Sequence, residues 1–449
     1  MKFKIKNSLF LLFLLISFIS QNQIFAAVEN AEFPYIITNG QGQYSYDLWT
    51  KNDSSNDIIQ VTSSSDYGAN WNKPIDLSDI GQNATTPCFA NDSTEKNVYA
   101  AWVRSNGTND IVQFSSSLNF AQNWTSPQDL SATGQNASNP HMITNFIGDH
   151  VYSIWQRSNS ANDIIQFSRS TDFGQTFSNP VDLSDVGQNA NTPQIATNIN
   201  ENCVCAIWTR SNGINDIIQF KHSPDYGANW NSTVDLSETD ENARDPRIVT
   251  DGTSVYAIWA RYDGANYVTQ FRKSTDNGST FFDVIDLSPV GFSVDNPRIV
   301  TSNDAKYIYV SWYTFDGMFT DVHVVFSTDS SKIFTAPHVL NKYGQNCKDT
   351  DITTDTNGKN TYVVWVRSNG YNDIVQLGKS NDYGATWTTY GLDLSQVGQD
   401  AKNPRVMTNQ SGKEVYVSWA RSDGTKDVIQ ESHSNDYGVT FSVPKTVSN

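Results

Sequence analysis

One position in a repeated segment of the chain carries a different side chain in almost every copy. It follows a proline in seven of the eight copies and is occupied by Tyr35, Cys88, His141, Gln194, Arg247, Arg298, Asp351 and Arg405. Arginines bind a carboxylate through paired, charge-assisted hydrogen bonds, so three neighbouring arginines would form an anion site. We call these eight residues the channel ring, because the fold predicted below places them around one central channel.

Aromatic residues accumulate in the fifth and sixth copies, where a hairpin pattern of the other copies breaks down. Tyr267 replaces a recurrent aspartate, and Thr314 replaces a recurrent arginine. Aromatic faces stack on the C–H surfaces of sugars. Sequence drift in two old copies would give the same pattern. We expect a glycan site here, formed by Arg247, Arg298, Arg405, Tyr262, Tyr267, Tyr313, Phe315 and Phe319.

The same hairpin contains, in five copies, an arginine and an aspartate six residues apart. The pairs are Arg104 with Asp110, Arg157 with Asp163, Arg210 with Asp216, Arg367 with Asp373 and Arg421 with Asp427. We expect each to be a cross-strand ion pair that contributes about 0.2 to 1 kcal/mol. A repeated ligand pocket at each blade is the alternative. A calcium loop would require a denser set of carboxylates than any copy supplies.

Eight tryptophans mark the repeat whose strands must position these residues. Trp49, Trp102, Trp155, Trp208, Trp259, Trp312, Trp365 and Trp419 follow at spacings of 53, 53, 53, 51, 53, 53 and 54 residues. Each copy has four short β-prone runs bounded by turn residues, and no long segment has a helical apolar period. The sequence predicts an all-β fold, a β-propeller of eight four-stranded antiparallel blades of about 53 residues each. Strand order is complete in each copy, so the first blade should dock on the last.

The composition and the first residues of the chain predict the compartment of the protein and the classes of partner that it excludes. Residues 1–27 combine three lysines, an apolar run and small residues, which is typical of a secretory signal cleaved near Ala26. Residues 28–449 should form one propeller domain, secreted or periplasmic, with no membrane span. The formal net charge of -17 disfavours nucleic acid and anionic lipid. We expect no metal and no cofactor. We also expect four buried cysteines, Cys88, Cys203, Cys205 and Cys347, of which Cys203 and Cys205 are poorly placed to bridge each other.

The turn between the third and fourth strands carries the pattern Ser-x-Asp-x-Gly-x-Thr/Asn-Trp/Phe in six copies. These turns span 64–71, 170–177, 223–230, 274–281, 380–387 and 434–441, and the copies at 117–124 and 327–334 are degenerate. The Asp can accept backbone N–H bonds, the Gly supplies a positive φ, and the last aromatic packs under the hairpin. The pattern resembles the Asp-box, or bacterial neuraminidase repeat. The resemblance implies a sialidase-like propeller with its active site on the opposite face.

The resemblance to sialidases also implies a catalytic set. In that family three arginines hold the sugar carboxylate, a Tyr activated by a Glu is the nucleophile, and an Asp is the acid/base. The matching residues here would be Arg247, Arg298 and Arg405, with Tyr35, Asp351 and the nearest candidate Glu, Glu241. The chain departs from the family in having Phe33-Pro34-Tyr35-Ile36 where a Phe/Tyr-Arg-Ile-Pro signature is expected, and eight blades instead of six.

The sequence therefore favours a secreted propeller that binds glycans or glycoconjugates at the channel mouth without catalysis. That mouth should lie on the face of the second-to-third-strand turns. An exo-sialidase-type glycoside hydrolase is the alternative. A protein-interaction scaffold, with a protein partner, is the third hypothesis, since a propeller fold alone does not choose among functions.

Overall fold

The protein is a β-propeller of eight four-stranded antiparallel blades, as the repeat predicts. The computed structural model describes residues 30–94, 96–197 and 202–448. In each blade the strands pair in chain order, so every sheet is built from one copy of the repeat. The predicted signal segment, residues 1–27, lies outside the described residues. No helix in the described ranges is long and apolar enough to span a membrane.

Corresponding strands have the same length in the first four blades, and the fourth strand is short in each. Blade 1 contains β1 (Ala31–Thr38), β2 (Ser45–Asn52), β3 (Asp57–Ser64) and β4 (Ile75–Asp76). Blade 2 contains β5 (Ala84–Asn91), β6 (Val98–Ser105), β7 (Asp110–Ser117) and β8 (Gln128–Asp129). Blade 3 contains β9 (Ala137–Thr144), β10 (Val151–Ser158), β11 (Asp163–Ser170) and β12 (Val181–Asp182). Blade 4 contains β13 (Ala190–Thr197), β14 (Val204–Ser211), β15 (Asp216–Ser223) and β16 (Val234–Asp235).

The last four blades repeat this arrangement. Blade 5 contains β17 (Ala243–Thr250), β18 (Val255–Tyr262), β19 (Tyr267–Ser274) and β20 (Ile285–Asp286). Blade 6 contains β21 (Ser293–Thr301), β22 (Ile308–Phe315), β23 (Thr320–Ser327) and β24 (His338–Val339). Blade 7 contains β25 (Cys347–Thr354), β26 (Thr361–Ser368), β27 (Asp373–Ser380) and β28 (Leu392–Asp393). Blade 8 contains β29 (Ala401–Thr408), β30 (Val415–Ser422), β31 (Asp427–Ser434) and β32 (Lys445–Thr446).

The hydrophobic core lies between neighbouring blades. All eight repeat tryptophans have 0% of their surface exposed. Trp102 of blade 2 packs in one cluster with Tyr46 and Leu48 of blade 1. Trp208 of blade 4 packs in the same way with Tyr152 and Ile154 of blade 3. Both faces of the middle strands are therefore covered, which explains why these strands are nearly continuous apolar runs.

The ring closes by docking of blade 1 on blade 8, as predicted. Strand β1 contacts β29 and β30, and no strand is shared between the two chain ends in the described ranges. Trp49 packs against Ala420 and Ile429. The Asp427 N–H donates to Asn30 Oδ1 over 3.0 Å. Hydrophobic contact and hydrogen bonds together thus join the chain ends without strand exchange.

The turn between the third and fourth strands has the geometry that its residues predict. In blade 1, Asp66 Oδ1 accepts the Asn70 N–H at 2.8 Å, and Ser64 Oγ accepts the Gly68 N–H at 3.0 Å. Gly68 has φ +71°. The last aromatic of the turn packs on the preceding blade, as Phe177 does edge-to-face against Phe114 with ring centroids 4.8 Å apart. Each turn therefore also contributes to blade–blade packing.

All four cysteines are buried and none forms a disulfide. The Sγ atoms of Cys203 and Cys205 lie 3.7 Å apart, because residues two apart on a strand share a face. The expectation of buried cysteines is confirmed.

Gly278 and Gly107 have the same positive φ but different surroundings. Comparing them separates the steric effect of an added Cβ from the cost of the backbone conformation. Gly278 and Gly107 both have φ +87°, but a Cβ at Gly278 would lie 2.4 Å from Phe220 Cζ, and nothing lies within 4 Å of one at Gly107. We expect Gly278→Ala to lower the free energy of unfolding by about 1–3 kcal/mol more than Gly107→Ala, because only the former overpacks the blade interface. Urea unfolding measures both. Equal losses would contradict this role of the turn.

Two buried acids lie where blade 8 meets blade 1. Asp47 and Glu431 are 0% exposed, at positions where other blades carry residues such as Ala100 and Phe114. Asp47 accepts a hydrogen bond from Ser418, and Glu431 accepts one from Trp71 Nε1 at 3.3 Å. Burial raises the pKa of Asp47 to about 7, against the lowering effect of its hydrogen bonds. Burial, with a contribution from Asp47, raises the pKa of Glu431 to about 8.

These raised pKa values predict that the protein loses stability as the pH rises. The folded state keeps protons that the unfolded carboxyl groups release near pH 4, so the stabilisation is complete below that pH. It is lost as the pH rises through about 7 and 8. The unfolding temperature should fall from pH 6 to pH 9, and Glu431→Gln should reduce the fall. The exposed Asp110→Asn is the control, and equal slopes for Glu431→Gln and the wild type would refute the assignment.

Candidate functional site

A β-bulge in each first strand sets the position of the channel ring. The pairing of β1 with β2 slips between Glu32 and Tyr35, and Phe33 within the bulge has φ 56°. The other first strands bulge at Thr86, Asn139, Thr192, Asp245, Asn296, Asp349 and Asn403, also with positive φ. The ring residue follows two positions later in each case. Bulges re-aim side chains, and these eight repeat the same change of register.

The channel ring brings charges from distant blades within electrostatic range of one another. Burial, followed by Cys88, raises the pKa of Tyr35 to about 12, and Arg405, Asp351 and Arg298 also act on its hydroxyl. Burial, followed by Arg298, lowers the pKa of Arg247 to about 9, still above neutrality. Burial, Arg247 and Arg298 lower the pKa of His141 to about 4. Blades 1, 3, 5, 6, 7 and 8 therefore contribute to one site.

The ring arginines form hydrogen bonds to backbone but no close ion pair. Nη1 of Arg247 and of Arg405 each donate to the preceding proline carbonyl at 3.0 Å. Arg298 Nε donates to the Thr350 carbonyl at 3.4 Å. Asp351 Oδ2 accepts the Val406 N–H at 3.1 Å, and no ion pair joins it to a ring arginine in the described part of the chain. Two carboxylates, Asp351 and Asp245, act on Arg247 and Arg298, so the three guanidinium groups still leave a local excess of positive charge.

The larger cavity of the channel lies on the face opposite the one predicted. It has a volume of about 720 Å³ and is lined by the carboxyl ends of the first strands and the turns that follow them, with Thr38, Ile195 and Thr408 among its residues. His141 reaches it, whereas none of the predicted ligand-binding residues lines it.

The predicted aromatic residues of blades 5 and 6 form two small groups. The Tyr262 and Tyr267 rings lie 5.3 Å apart, and the Arg244 guanidinium lies 4.2 Å from the Tyr267 centroid. Arg244 also lies 3.7 Å from Asp295. Burial, followed by the charge of Asp295, raises the pKa of Tyr313. A second group joins Phe319 to Tyr343 at 5.5 Å between centroids.

The remaining aromatic, Phe315, is 50% exposed. Sequence reasoning missed Arg244 and Tyr343. The signal for Arg244 was present in the sequence: only in blade 5 is the second residue of the first strand an arginine.

The predicted ion pairs within the hairpins are wrong. Arg157 lies opposite Ile164, and Asp163 lies opposite Ser158, so the two side chains emerge on opposite faces of the sheet. Two of the arginines instead reach the aspartate of the short fourth strand, at 3.5 Å for Arg157 with Asp182 and 2.7 Å for Arg367 with Asp393. Arg104 and Asp110, Arg210 and Asp216, Arg367 and Asp373, and Arg421 and Asp427 have the same register.

The structure does not bring Glu241 to Tyr35. Glu241 accepts a hydrogen bond from Arg261 Nη1 at 2.8 Å, at the outer part of blade 5. The charged groups that act on Tyr35 are Arg405, Asp351 and Arg298. With its pKa raised to about 12, the Tyr35 hydroxyl stays protonated at neutral pH in this arrangement.

Comparison with known proteins places the chain among propellers. No protein-family model and no curated protein sequence matches it. An ulvan lyase superposes with a TM-score of 0.52 at 9% identity, over 94% of this chain and 97% of that one. A prolyl endopeptidase gives 0.50 at 9%, over 91% and 54%. A Hadza microbial sialidase gives 0.38 at 15%, over 63% and 66%. The chain shares a fold with the ulvan lyase and with the propeller part of the prolyl endopeptidase.

Convergence of the channel ring predicts that histidine titration in blade 3 responds to a mutation in blade 6. Arg298→Ala removes a cation that disfavours the imidazolium of His141, so the pKa of His141 should rise from about 4 toward the ordinary value near 6.5. NMR titration of the imidazole C–H signals measures this change. Arg169→Ala, on the face of the third-to-fourth-strand turns, is the control. An unchanged His141 titration in Arg298→Ala would show that the ring residues do not meet.

Proposed function

We propose that the protein binds acidic glycans at the start of the first strands, where the channel ring converges. The observation that carries the proposal is the group Arg247, Arg298 and Arg405, which lacks a close carboxylate partner in the described structure. A sugar carboxylate or sulfate would supply the missing negative charge through charge-assisted hydrogen bonds. Asp351 and Tyr35 act on each other electrostatically beside these arginines. The carboxylate of Asp351 would accept hydrogen bonds from sugar hydroxyl groups, and the Tyr35 hydroxyl would donate one.

The electrostatics favour a ligand with isolated charges on a hydroxyl-rich frame. The chain as a whole carries a net charge of -17, which repels densely charged polyanions. The positive charge of the ring comes from three arginines, which suits a ligand with a single acidic group. In blade 5, Tyr262 and Tyr267 offer aromatic rings for contact with sugars. The ulvan lyase of similar fold acts on a polysaccharide, which is in keeping with a glycan ligand.

Binding without turnover accounts for the ring better than a sialidase mechanism does. A tyrosine nucleophile needs a neighbouring base to take its proton. The hydroxyl of Tyr35 has a raised pKa, and the candidate base Glu241 is held by Arg261. The Asp-box resemblance and the secretory segment together support export, so we infer that the glycans are met outside the cytoplasm.

A glycan array followed by calorimetry tests the proposal. The wild type should bind sialylated or uronic acid glycans over their neutral analogues and release no product from a fluorogenic sialoside. Arg298→Ala should weaken binding at least about tenfold, since a hydrogen bond to a charged group contributes about 1.5–3 kcal/mol. Arg169→Ala makes the same charge change on the opposite face and should bind normally. Acidic glycan binding that survives Arg298→Ala would refute the site, and absence of glycan binding would favour a protein-interaction scaffold.

A further inference from the structure

A second cavity opens beside the channel ring, between blades 1 and 2. Its volume is about 420 Å³, and Tyr35 and Arg405 of the ring form part of its wall. Glu32, Phe33, Thr50 and Thr86 line it as well. We call it the side pocket. It lies on the face that carries the predicted mouth, because all these residues belong to strand starts or to the hairpins beside them.

Short side chains in blade 2 create this space. The first strand of blade 2 carries Thr85, Thr86 and Cys88 at the positions where blade 5 carries Arg244, Asp245 and Arg247. The backbone register is the same in the two blades, with the bulge at the same place. The pocket is thus a consequence of side-chain size and not of a different chain path.

Phe33 on the pocket wall has no counterpart in the rest of the ring. The bulge residue is Asn, Asp or Thr in the other seven blades, and each has a positive φ. Asn and Asp tolerate this conformation, whereas a bulky side chain is strained in it. Phe33 has φ 56° and remains 53% exposed, so burial does not compensate for the strain. Such strain is typical of functional positions.

Thr50 carries a buried hydroxyl that the described residues leave unsatisfied. The residue is 7% exposed, and its Oγ1 has no hydrogen-bond partner. The corresponding Thr209 of blade 4 lies 2.9 Å from the hydroxyl of the bulge residue Thr192. Phe33 occupies that place in blade 1 and offers no polar atom. Because burial of a hydroxyl without a partner costs free energy, a polar group of a ligand in the pocket would stabilise the Thr50 hydroxyl.

We propose that the side pocket is a second sugar subsite, which binds an uncharged, hydroxyl-rich unit linked to the acidic unit held by the ring arginines. Phe33 offers a ring face for stacking, and Thr50, Thr86 and Asn52 offer hydrogen bonds to sugar hydroxyls. The carboxylate of Asp57 lines the pocket and disfavours a second acid, whereas Glu32 on the same wall is paired with Lys402 at 2.8 Å. The inference rests on the proposed function, and it specifies an oligosaccharide in which an acidic unit is linked to a neutral unit as the ligand class.

Two variants separate the side pocket from the ring. Phe33→Asn installs the residue type of the other blades, so it should preserve or raise the unfolding temperature. Thr50→Val keeps the shape of the side chain and removes the hydroxyl. Calorimetry compares free sialic acid with sialyllactose, and free glucuronic acid with a glucuronic acid-containing disaccharide. Arg298→Ala is measured alongside.

The wild type should bind the linked sugars at least about fivefold more tightly than the free acids, the gain expected from one or two new hydrogen bonds. Both pocket variants should abolish this gain and leave binding of the free acids unchanged. If Arg298→Ala abolishes binding but both pocket variants keep the gain, the side-pocket proposal is overturned and the proposed function stands. If no acidic sugar binds the wild type, the proposed function fails, and the subsite with it.

Discussion

The fold depends on burial of each blade's middle strands against the next blade. A four-stranded sheet of this repeat has apolar residues on both faces of its second strand, and one blade alone cannot cover them. Trp102 packs on blade 1, and Trp49 packs on blade 8. A linear array would leave one such face exposed at each end, and the hydrophobic effect opposes that exposure. Closure of the ring therefore follows from the same contacts that hold any two blades together.

Closure gives the channel its chemistry. It sets the first strands side by side, so residues from opposite ends of the chain, such as Tyr35 and Arg405, become neighbours. The repeated bulge aims the residue two positions later at the channel in every blade. Sizes from Cys88 to Arg247 fit at this position on the same backbone, although Cys88 itself packs in the apolar cluster between blades 2 and 3. Tryptophan, in contrast, is kept at the packed position in all eight blades.

Much of this could be predicted from sequence, and the parts that could not share a physical cause. The period and the apolar runs predict eight blades, and the Ser-x-Asp-x-Gly pattern predicts the turn around Asp66. The direction of a strand side chain depends on register, and one residue of slip reverses it. The prediction of hairpin ion pairs was wrong for this reason. It placed Arg157 opposite Asp163, whereas Arg157 lies opposite Ile164 in the hairpin. The end of the channel at which the larger cavity lies depends on how side chains fill space in three dimensions, and the order of residues along the chain does not contain this information.

Departures from the repeat fall into two physical kinds. At the seam, Asp47 and Glu431 replace apolar or small residues and are fully enclosed, so their effect is on the stability of closure. At the channel, Phe33 is strained and half-exposed, and Thr50 is buried without a partner in the described structure. Blade 4 shows that the fold does not require either feature, because Thr192 and Thr209 satisfy each other at the equivalent positions. A position that costs free energy and supports no contact within the fold is best explained by a ligand, and this argument distinguishes the side pocket from the apolar cores between blades.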